Sequence, residues 1–444
     1  MPASTTVLIC GLGITGQSIV RYLASEANLL VTDTRLETSP EIARIAEQLS
    51  SKSDQLKVVK VSELATHWAE ITEMYVSPGL PLSHEIVQKA LEEDIPVRGD
   101  IDLFLDHVDK PVLAITGTNG KTTVVSLITE LLASRGFISV GNIGTPVLDG
   151  LQRRASGFVL ELSSFQLERL KSPIFKVATC LNVTADHLDH HASFDEYLNA
   201  KRRIYENCET VIYNAKDELT VPQNTVGRQS IAINDDPKWR VESGGVVIAG
   251  EFVPASELSL TGEHNLFNIV VSAACAHCMG VSIEEMLPVL RFFKGLPHRQ
   301  QLIKVDSGVT LIDDSKSTNV ASTVVAIQAF NCARRPLVLL LGGDSKGVDL
   351  SPLTNATLTT DLVVLYGQDA YRFKEIMDST VVVHIAKTFE QAIRTSIEWA
   401  GSEGTILFSP ACASFDMFSN YVERGRSFCA IARRLLDPTT RDCH

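Results

Sequence analysis

The 444-residue sequence has no long hydrophobic run, and no uninterrupted apolar segment approaches the ~18 residues that a membrane-spanning helix requires. Its first residues, Met-Pro-Ala-Ser-Thr-Thr, also lack the positive charge and the apolar stretch of a secretory signal peptide. We therefore expect no membrane span and a cytoplasmic location.

Positive charge is also scarce, with 40 Lys and Arg residues against 53 Asp and Glu residues and a net charge of −13. Nucleic-acid binding requires a basic surface, so no nucleic-acid partner is expected. Phosphate-bearing small molecules remain compatible with this charge because they bind in local sites.

Cysteine is sparse, and the nine residues are odd in number and scattered, which argues against a disulfide framework. A single CxxC pair, Cys275 and Cys278, lies in a predicted helix from Asn265 to Met279. No second pair completes a zinc site, so buried thiols are favoured there over metal or redox chemistry.

The chain is too long for one hydrophobic core. Alternating predicted strands and helices indicate an α/β fold with three domains. They are a Rossmann-like N-terminal domain at 1–97, a central P-loop ATPase-like α/β domain at 98–299, and a C-terminal doubly wound Rossmann-like domain at 300–444. The main predicted strands are Val7–Cys10, Leu29–Val31, Leu56–Val61, Met74–Val76, Pro111–Thr116, Phe158–Leu162, Val177–Asn182, Thr310–Asp313, Leu337–Leu341, Leu362–Leu365, Val381–His384 and Thr405–Phe408. Residues 217–260 carry a weaker pattern of short strands, with antiparallel pairing considered.

A glycine-rich loop between a strand and a helix is the strongest motif. Backbone N–H groups of such a loop and the helix N-terminus point at phosphates, which predicts ATP binding. A lysine there reaches the β- and γ-phosphates, and the following threonine binds Mg²⁺. The loop residues are Gly117, Thr118, Asn119, Gly120, Lys121, Thr122 and Thr123.

A second glycine motif, Gly11–Gly16, follows the first predicted strand, and Asp33 follows the next one. Taken alone, this pattern predicts a dinucleotide site with Asp33 at the ribose. Beside a separate ATP loop, it favours a nucleotide-linked substrate. A turn without a ligand stays an alternative.

Candidate functional residues follow or end two further predicted strands. Glu161 ends a predicted strand, where carboxylates commonly hold Mg²⁺ in α/β sheets. The loop Asn182–His191 is rich in His and Asp, but a zinc site is not favoured over a merely polar loop.

Lys201 fills a position on an apolar helix stripe. Ser193 and Glu196 form a predicted capping box. The stripe behind it consists of Phe194, Tyr197, Leu198, Ile204 and Tyr205. Burial lowers the pKa of a lysine, and only a neutral amine reacts with CO₂ to form a carbamate, an anionic Mg²⁺ ligand. Periodicity alone favours a snorkelling lysine instead.

Three loops that follow strands of the third segment carry Lys316, Thr318, Lys346 and Ser414. The carboxyl ends of parallel strands meet at one sheet edge, so these side chains are expected to converge. Two cations with hydroxyl groups suit a small dicarboxylate.

Together these motifs resemble the Mur ligase family over essentially the whole chain. Further family-like segments are Gly141–Gly144, Glu161–Gln166, Asn182–His187, Tyr197–Lys201, Gly262–Asn268 and Gly295–Arg299. The segments Asp314–Asn319 and Ser409–Ser414 resemble the D-glutamate-adding members, and the Asp-Asn-Pro-Arg motif of the diaminopimelate-adding members is absent.

The resemblance implies roles for individual residues. Lys121, His187 and Lys201 would be catalytic, and two Mg²⁺ ions would be held by Thr122 with Glu161 and by His187 with carbamylated Lys201. The UDP substrate would contact Thr15, Asp33, Thr34, Arg35 and Asn142. ATP would contact the phosphate loop with Asn268, Arg299 and Asp314. D-Glutamate would contact Lys316, Thr318, Lys346, Ser414 and Tyr421.

The implied activity is ATP-dependent addition of D-glutamate to UDP-N-acetylmuramoyl-L-alanine through an acyl phosphate, in peptidoglycan precursor synthesis. A different Mur-type ligase or a folate polyglutamate ligase is the main alternative. A nucleotide-dependent dehydrogenase and a non-catalytic ATP switch are alternatives from other classes.

Overall fold

The structure is a computed structural model. It describes residues 5–51, 55–142, 144–171, 174–186, 190–191, 193–260, 262–305, 308–331 and 336–436. His187, one of the predicted site residues, lies outside them.

The first sheet is parallel, with strand order β3-β2-β1-β4-β5. Its strands are β1 Thr6–Cys10, β2 Asn28–Thr32, β3 Leu56–Val58, β4 Ile71–Val76 and β5 Val97–Arg98, and its helices are α1 Ile14–Leu23, α2 Pro40–Ser50, α3 Glu85–Glu92 and α4 Asp100–His107. Val7 and Ile9 of β1 enter one hydrophobic cluster, whereas Leu8 and Cys10 enter another. Both faces of the sheet are therefore covered, which explains why its strands are apolar throughout.

The second sheet is also parallel, with order β11-β10-β9-β6-β8-β7. Its strands are β6 Val112–Thr116, β7 Phe137–Gly141, β8 Gly157–Glu161, β9 Val177–Cys180, β10 Thr210–Asn214 and β11 Gln229–Ile233, and the helices between them are α5 Lys121–Leu131, α6 Val147–Leu151, α7 Ser164–Leu167 and α8 Phe194–Arg202. Strands β8 and β9 flank β6, so the segments that follow these three strands share one edge of the sheet.

A small antiparallel sheet follows, as considered for residues 217–260. It consists of β12 Trp239–Glu242, β13 Gly245–Ile248 and β14 Glu251–Pro254, and helices α9 Glu263–Cys278 and α10 Ile283–Phe292 come next. Helix α9 contains the CxxC pair. Cys275 is fully buried, and burial raises the pKa of Cys278 to about 11, as expected of thiols packed in a helix interface.

The third main sheet has order β15-β16-β20-β17-β18-β19, and β15 alone pairs antiparallel to its neighbour. Its strands are β15 Gln301–Ile303, β16 Thr310–Asp313, β17 Leu337–Gly342, β18 Leu362–Tyr366, β19 Val383–Ile385 and β20 Thr405–Phe408, and its helices are α11 Val320–Ala329, α12 Pro352–Ala356, α13 Ala370–Ile376, α14 Phe389–Ala400 and α15 Tyr421–Leu436. Separate hydrophobic clusters cover the two faces, which confirms the doubly wound prediction.

The predicted α/β fold, with three main sheets, is thus confirmed, with changes at strand ends. The strand expected at Leu56–Val61 ends at Val58, and β5, β7, β10 and β15 were not predicted. Compact packing divides the chain into two units, Met1–Glu257 with Phe267–Phe292 and Leu258–Leu266 with Phe293–His444. The domain boundaries at 97/98 and 299/300 stay predictions. Among the described helices, none is long and apolar enough to cross a membrane.

Candidate functional site

The phosphate loop joins β6 to α5 as expected. Gly117 and Gly120 have φ values of 148° and 86°, which side chains rarely tolerate. A Cβ at Gly120 would lie 2.9 Å from Asn268 Oδ1, so the structure brings Asn268 of α9 beside this loop. Helix α5 begins directly after this loop, and a helix N-terminus that follows a glycine-rich loop favours anion binding.

Asn182, just after β9, stabilises the phosphate loop through hydrogen bonds. Its Oδ1 accepts a hydrogen bond from the Asn119 N–H at 2.9 Å, and its Nδ2 donates to the Asn119 carbonyl at 3.0 Å. On the other side, Thr118 Oγ1 lies 2.9 Å from the hydroxyl of Tyr197. Asn182 and Tyr197 belong to motifs noted in the sequence, but their contacts with the loop join residues more than 60 positions apart and have no local signal.

Lys121 begins α5, and its ammonium group donates to the carbonyls of Gly117 at 2.7 Å and Thr118 at 2.9 Å. Folded over the loop in this way, Lys121 places its positive charge within the anion-binding turn. The predicted neighbours Thr122 and Thr123 lie in the first turn of the same helix.

Lys201 lies on α8, which begins after Ser193 with the predicted cap: the Ser193 hydroxyl accepts from the Glu196 N–H. The helix ends at Arg202, so the predicted stripe continues through a 3-10 turn, Arg203–Tyr205. The Lys201 side chain is 2% exposed. The alternative that Lys201 extends its ammonium to solvent is therefore wrong, because the ammonium is inside the protein.

The Lys201 ammonium also meets the phosphate loop. It donates to the Gly117 carbonyl at 3.0 Å, the same oxygen that accepts from Lys121, and it lies 4.7 Å from the centre of the Tyr197 ring. Burial first, and then the positive charge of Lys121, lower the pKa of Lys201 from 10.5 to about 7. A substantial fraction of the amine is therefore neutral near pH 7, which is the form that attacks CO₂.

We expect Lys201 to make stability depend on pH. Between pH 7 and 10.5 the unfolded chain carries a proton on Lys201 that the folded chain lacks, so folding becomes more favourable as pH rises through this window. The effect is at most about 1.4 kcal/mol per pH unit. Denaturant unfolding in CO₂-free buffer measures it as the difference between wild type and Lys201→Met. A difference that stays constant with pH would contradict the lowered pKa of Lys201.

Glu161 ends β8 at the same edge and is 1% exposed. Its Oε1 accepts from Asn142 Nδ2 at 3.1 Å. Its Oε2 is buried and has no hydrogen-bond partner among the described residues. A buried carboxylate oxygen without a donor is costly unless a cation binds it, so this residue fits a metal ligand.

The N-terminal glycine turn is held by Asp33, at the end of β2. Asp33 Oδ2 accepts from the Leu12 N–H at 2.7 Å, and both carboxylate oxygens accept from the Arg35 guanidinium. Burial acts to raise the pKa of Asp33, but the hydrogen bonds from Arg35 and Leu12 outweigh it, so the pKa lies below its usual value. Gly16 lets the turn close, because a Cβ there would lie 1.7 Å from the Gly11 carbonyl oxygen.

The remaining residues predicted for the UDP substrate lie around this turn. Thr15 is half-buried in the first turn of α1, and Thr34 and Arg35 are exposed after β2. The structure therefore groups four of the five predicted UDP-substrate residues at one strand edge. Asn142 lies instead at the edge of the second sheet, against Glu161.

In the second unit, the three loops with the predicted dicarboxylate residues follow β16, β20 and β17, which are adjacent parallel strands. Lys316 Nζ lies 4.6 Å from the centre of the Tyr421 ring. An isolated bridge between Asp344 and Ala413 joins the loops of Lys346 and Ser414. The convergence expected from the sequence is thus present.

Arg424 is an unpredicted component of this edge. The side chain is fully buried and donates to Ser315 Oγ and to the carbonyls of Ser315, Cys412 and Ala413. It therefore ties α15 to two of the three loops. Arg424 lies three residues after Tyr421 and four before Phe428, which places it on the inner face of the helix. From sequence alone, however, an arginine at this position is predicted to be exposed.

Asp314 directly follows β16 and begins the loop that carries Lys316, and it is 6% exposed. It accepts from Ser409 Oγ at 2.7 Å and from the Gln300 N–H at 3.1 Å. Burial raises the pKa of Asp314 to about 7, against the opposing effects of these hydrogen bonds and of the positive charge of Arg299. Asp314 and Arg299, both predicted to contact ATP, are thus electrostatic neighbours.

Family models match three successive parts of the chain. The Mur ligase MurD-like N-terminal domain matches residues 5–99, the Mur ligase middle domain residues 115–276, and the Mur ligase glutamate ligase domain residues 298–412. The predicted three-domain fold agrees with these matches.

Whole-length relatives are similar to this chain. Proteins named UDP-N-acetylmuramoylalanine--D-glutamate ligase from Marinobacter nauticus and Pseudomonas aeruginosa are 37% and 38% identical to it, each with 96% of this chain and 98% of the relative covered.

Solved structures share the fold. The MurF ligase from Thermotoga maritima in complex with ADP has a TM-score of 0.62 at 14% identity, covering 98% of this chain and 96% of that one. The UDP-N-acetylmuramate-alanine ligase MurC from the same organism has a TM-score of 0.59 at 18% identity, covering 96% and 98%. With matching family models along its length and relatives above one third identity, this chain belongs to the Mur ligase family.

Proposed function

We propose that this chain is an ATP-dependent ligase that joins D-glutamate to UDP-N-acetylmuramoyl-L-alanine through an amide bond in peptidoglycan precursor synthesis. The observation that carries the proposal is whole-length similarity, 37% over 96% of the chain, to a relative named for this reaction. The phosphate loop and the cationic edge of the second unit supply the chemistry that the reaction needs. The cytoplasm is the proposed compartment because the reaction consumes ATP.

The first proposed step is activation of the L-alanyl carboxylate. A carboxylate oxygen attacks the γ-phosphate of ATP, ADP leaves, and an acyl phosphate forms. Lys121 and the N–H groups at the start of α5 stabilise the negative charge that spreads over the phosphate oxygens. In the second step the amine of D-glutamate attacks the acyl carbon, and the tetrahedral intermediate releases phosphate to leave the amide.

The residues near the loop fit Mg²⁺, because Glu161 presents a buried carboxylate oxygen that accepts no hydrogen bond from any residue that the structure describes. We assign one ion to Thr122 and Glu161, and a second to His187 and carbamylated Lys201. Bound Mg²⁺ would neutralise phosphate and carboxylate charge. Converting Lys201 to a carbamate would also remove a positive charge that now faces Lys121.

The other assignments follow the same family pattern. Thr15, Asp33, Thr34 and Arg35 are proposed to bind the uridine diphosphate end, with Asn142 near the muramoyl group. Asn268, Arg299 and Asp314 are proposed to contact the adenine, phosphate and ribose of ATP. Asp33 is already engaged by Leu12 and Arg35, so its proposed role includes ordering the turn as well as contacting substrate.

The proposed D-glutamate site consists of Lys316, Thr318, Lys346, Ser414 and Tyr421. Lys346 is exposed, has a left-handed backbone with φ 51°, and extends its ammonium 5.7 Å from the Phe415 ring centre. An exposed cation beside the hydroxyl-bearing loops can pair with the distal carboxylate of the amino acid.

We expect selectivity for D-glutamate over L-glutamate, D-alanine and diaminopimelate. A site whose polar groups pair with the substrate leaves them unpaired with a competitor, which lowers kcat/KM for that competitor. Phosphate release with UDP-N-acetylmuramoyl-L-alanine and each amino acid measures this. Lys346→Met and Ser414→Ala should raise the KM for D-glutamate, whereas Lys387→Met, at an exposed lysine of the same unit, should not. Equal kcat/KM for D- and L-glutamate would contradict the D-glutamate assignment while leaving the family membership intact.

The same assay separates the alternatives. A folate acceptor that supports phosphate release in place of the UDP-muramoyl substrate would indicate a folate polyglutamate ligase. ATP binding without phosphate release in the presence of all substrates would indicate a switch.

A further inference from the structure

Three side chains that could hold a metal ion together have no role among those assigned above. Glu168 directly follows α7, and His190 and His191 lie in the loop before α8. His190 Nε2 is 3.1 Å from Glu168 Oε1, and His191 Nδ1 is 3.6 Å from Glu168 Oε2. One ligand atom from each residue lies within 4.8 Å of the others.

The two separations from Glu168 match those of a tetrahedral metal centre. Ligand atoms about 2.0–2.2 Å from a zinc ion lie roughly 3.4 Å from one another. The two measured nitrogen–oxygen distances, 3.1 and 3.6 Å, lie on either side of that value. We propose that Glu168, His190 and His191 bind one divalent transition-metal ion of the Zn²⁺ type, with the fourth position open to water.

The outer contacts of His191 suit this role. Its Nε2 lies 3.0 Å from Ser164 Oγ, so a proton on Nε2 leaves Nδ1 unprotonated and facing Glu168. Metal-bound histidines typically donate their other N–H to a neighbouring oxygen in this way. The ring of Phe165 packs 4.1 Å from that of His190 and 5.6 Å from that of His191, which orients both imidazoles.

The positive charge of Arg169 disfavours metal binding, since its Nε lies 3.5 Å from Glu168 Oε1. However, its guanidinium is held mainly by backbone carbonyls, donating to Ser77 at 2.8 Å and to Leu80. Arg169 can therefore keep these bonds while Glu168 turns to a metal. Its positive charge lowers the affinity, so we expect micromolar rather than nanomolar binding.

The ligand set separates this site from the proposed Mg²⁺ sites. Mg²⁺ selects oxygen ligands, whereas two imidazoles and a carboxylate suit Zn²⁺ or Co²⁺. The cluster is nevertheless connected to the phosphate loop: the His191 and Tyr197 rings are 5.3 Å apart, and the Tyr197 hydroxyl contacts Thr118. A bound ion should therefore stabilise the packing of His191 against Tyr197 of α8.

The test is titration of the chelator-treated full chain with Zn²⁺ by calorimetry, in excess Mg²⁺, and with Co²⁺ by visible absorption. We expect one equivalent of Zn²⁺ at this cluster, a four-coordinate Co²⁺ spectrum and a higher Tm with metal. His190→Phe keeps a ring against Phe165 but removes a ligand, and Glu168→Gln is isosteric; both should abolish this binding. Ser164→Ala should weaken it by about 10–100-fold.

Two control variants identify other sources of binding. Glu161→Gln removes the proposed Mg²⁺ ligand, and Cys278→Ser removes the partly buried thiol of the CxxC pair. Both should retain the Zn²⁺ equivalent and the Co²⁺ spectrum. The proposal is overturned if His190→Phe and Glu168→Gln, folded by circular dichroism, bind as wild type does, or if binding is lost in either control instead.

Discussion

Lys121→Ala is expected to lower kcat for ligation by about 10²-fold or more, because it deletes a preorganised positive charge facing the transferred phosphate. The wild-type ammonium already sits on the loop, 2.7 Å from the Gly117 carbonyl and 2.9 Å from that of Thr118. These two contacts hold the Lys121 charge on the phosphate loop. Steady-state phosphate release with saturating substrates measures the effect.

The same substitution also removes two hydrogen bonds within the loop, which together contribute about 1–3 kcal/mol. Thermal unfolding must therefore accompany the kinetics, and a modest fall in Tm is expected. Lys110→Ala is the matched control, since Lys110 is exposed just before β6, at the opposite end of that strand from the loop. A folded Lys121→Ala enzyme with wild-type turnover would refute the assignment of the phosphate loop.

Lys201→Ala and Lys201→Arg are both expected to lower kcat by about 10²-fold or more, since neither side chain can become an anionic ligand. Stability should change little in the alanine variant. Alanine is a good helix former, and the substitution removes an ammonium that is 2% exposed and repelled by Lys121. Arginine should cost more stability because a larger permanent charge enters the same space.

Carbamylation has a direct spectroscopic readout. With ¹³C-bicarbonate, wild type should show a carbamate carbon signal that is absent from both variants. A small carboxylate such as acetate should partly restore activity to Lys201→Ala and not to Lys201→Arg, where the side chain fills the space. An active Lys201→Arg enzyme without the carbamate signal in wild type would return Lys201 to a structural role.

Local patterns predicted much of the site because their physical causes are local. Residues 112–123 contain a buried strand, two glycines with positive φ and a helix N-terminus, and they form the loop as expected. Likewise Ser193 caps α8, and the apolar period places Lys201 on its inner face. Periodicity could not decide whether the ammonium reaches solvent, since that depends on what packs against the helix.

The strand ends were predicted less well where tertiary contacts set them. The predicted strand Leu56–Val61 stops at Val58, because β3 is an edge strand that pairs only with β2, over three residues. Strand β15 is antiparallel in an otherwise parallel sheet, which no local signal near Gln301 reveals.

By itself, the sequence determined the three α/β segments, the phosphate loop, the capped helix of Lys201 and the convergence of the loops that are proposed to bind D-glutamate. Each depends on hydrophobic period, glycine φ preference or the shared edge of parallel strands. Only the tertiary structure decided that Lys121 and Lys201 share the Gly117 carbonyl and that Arg424 is buried. It also decided that one buried oxygen of Glu161 has no hydrogen-bond partner within the described part of the chain. These features depend on side chains from distant positions meeting in a low-dielectric interior, where desolvation and charge repulsion set protonation and no local pattern records the partner.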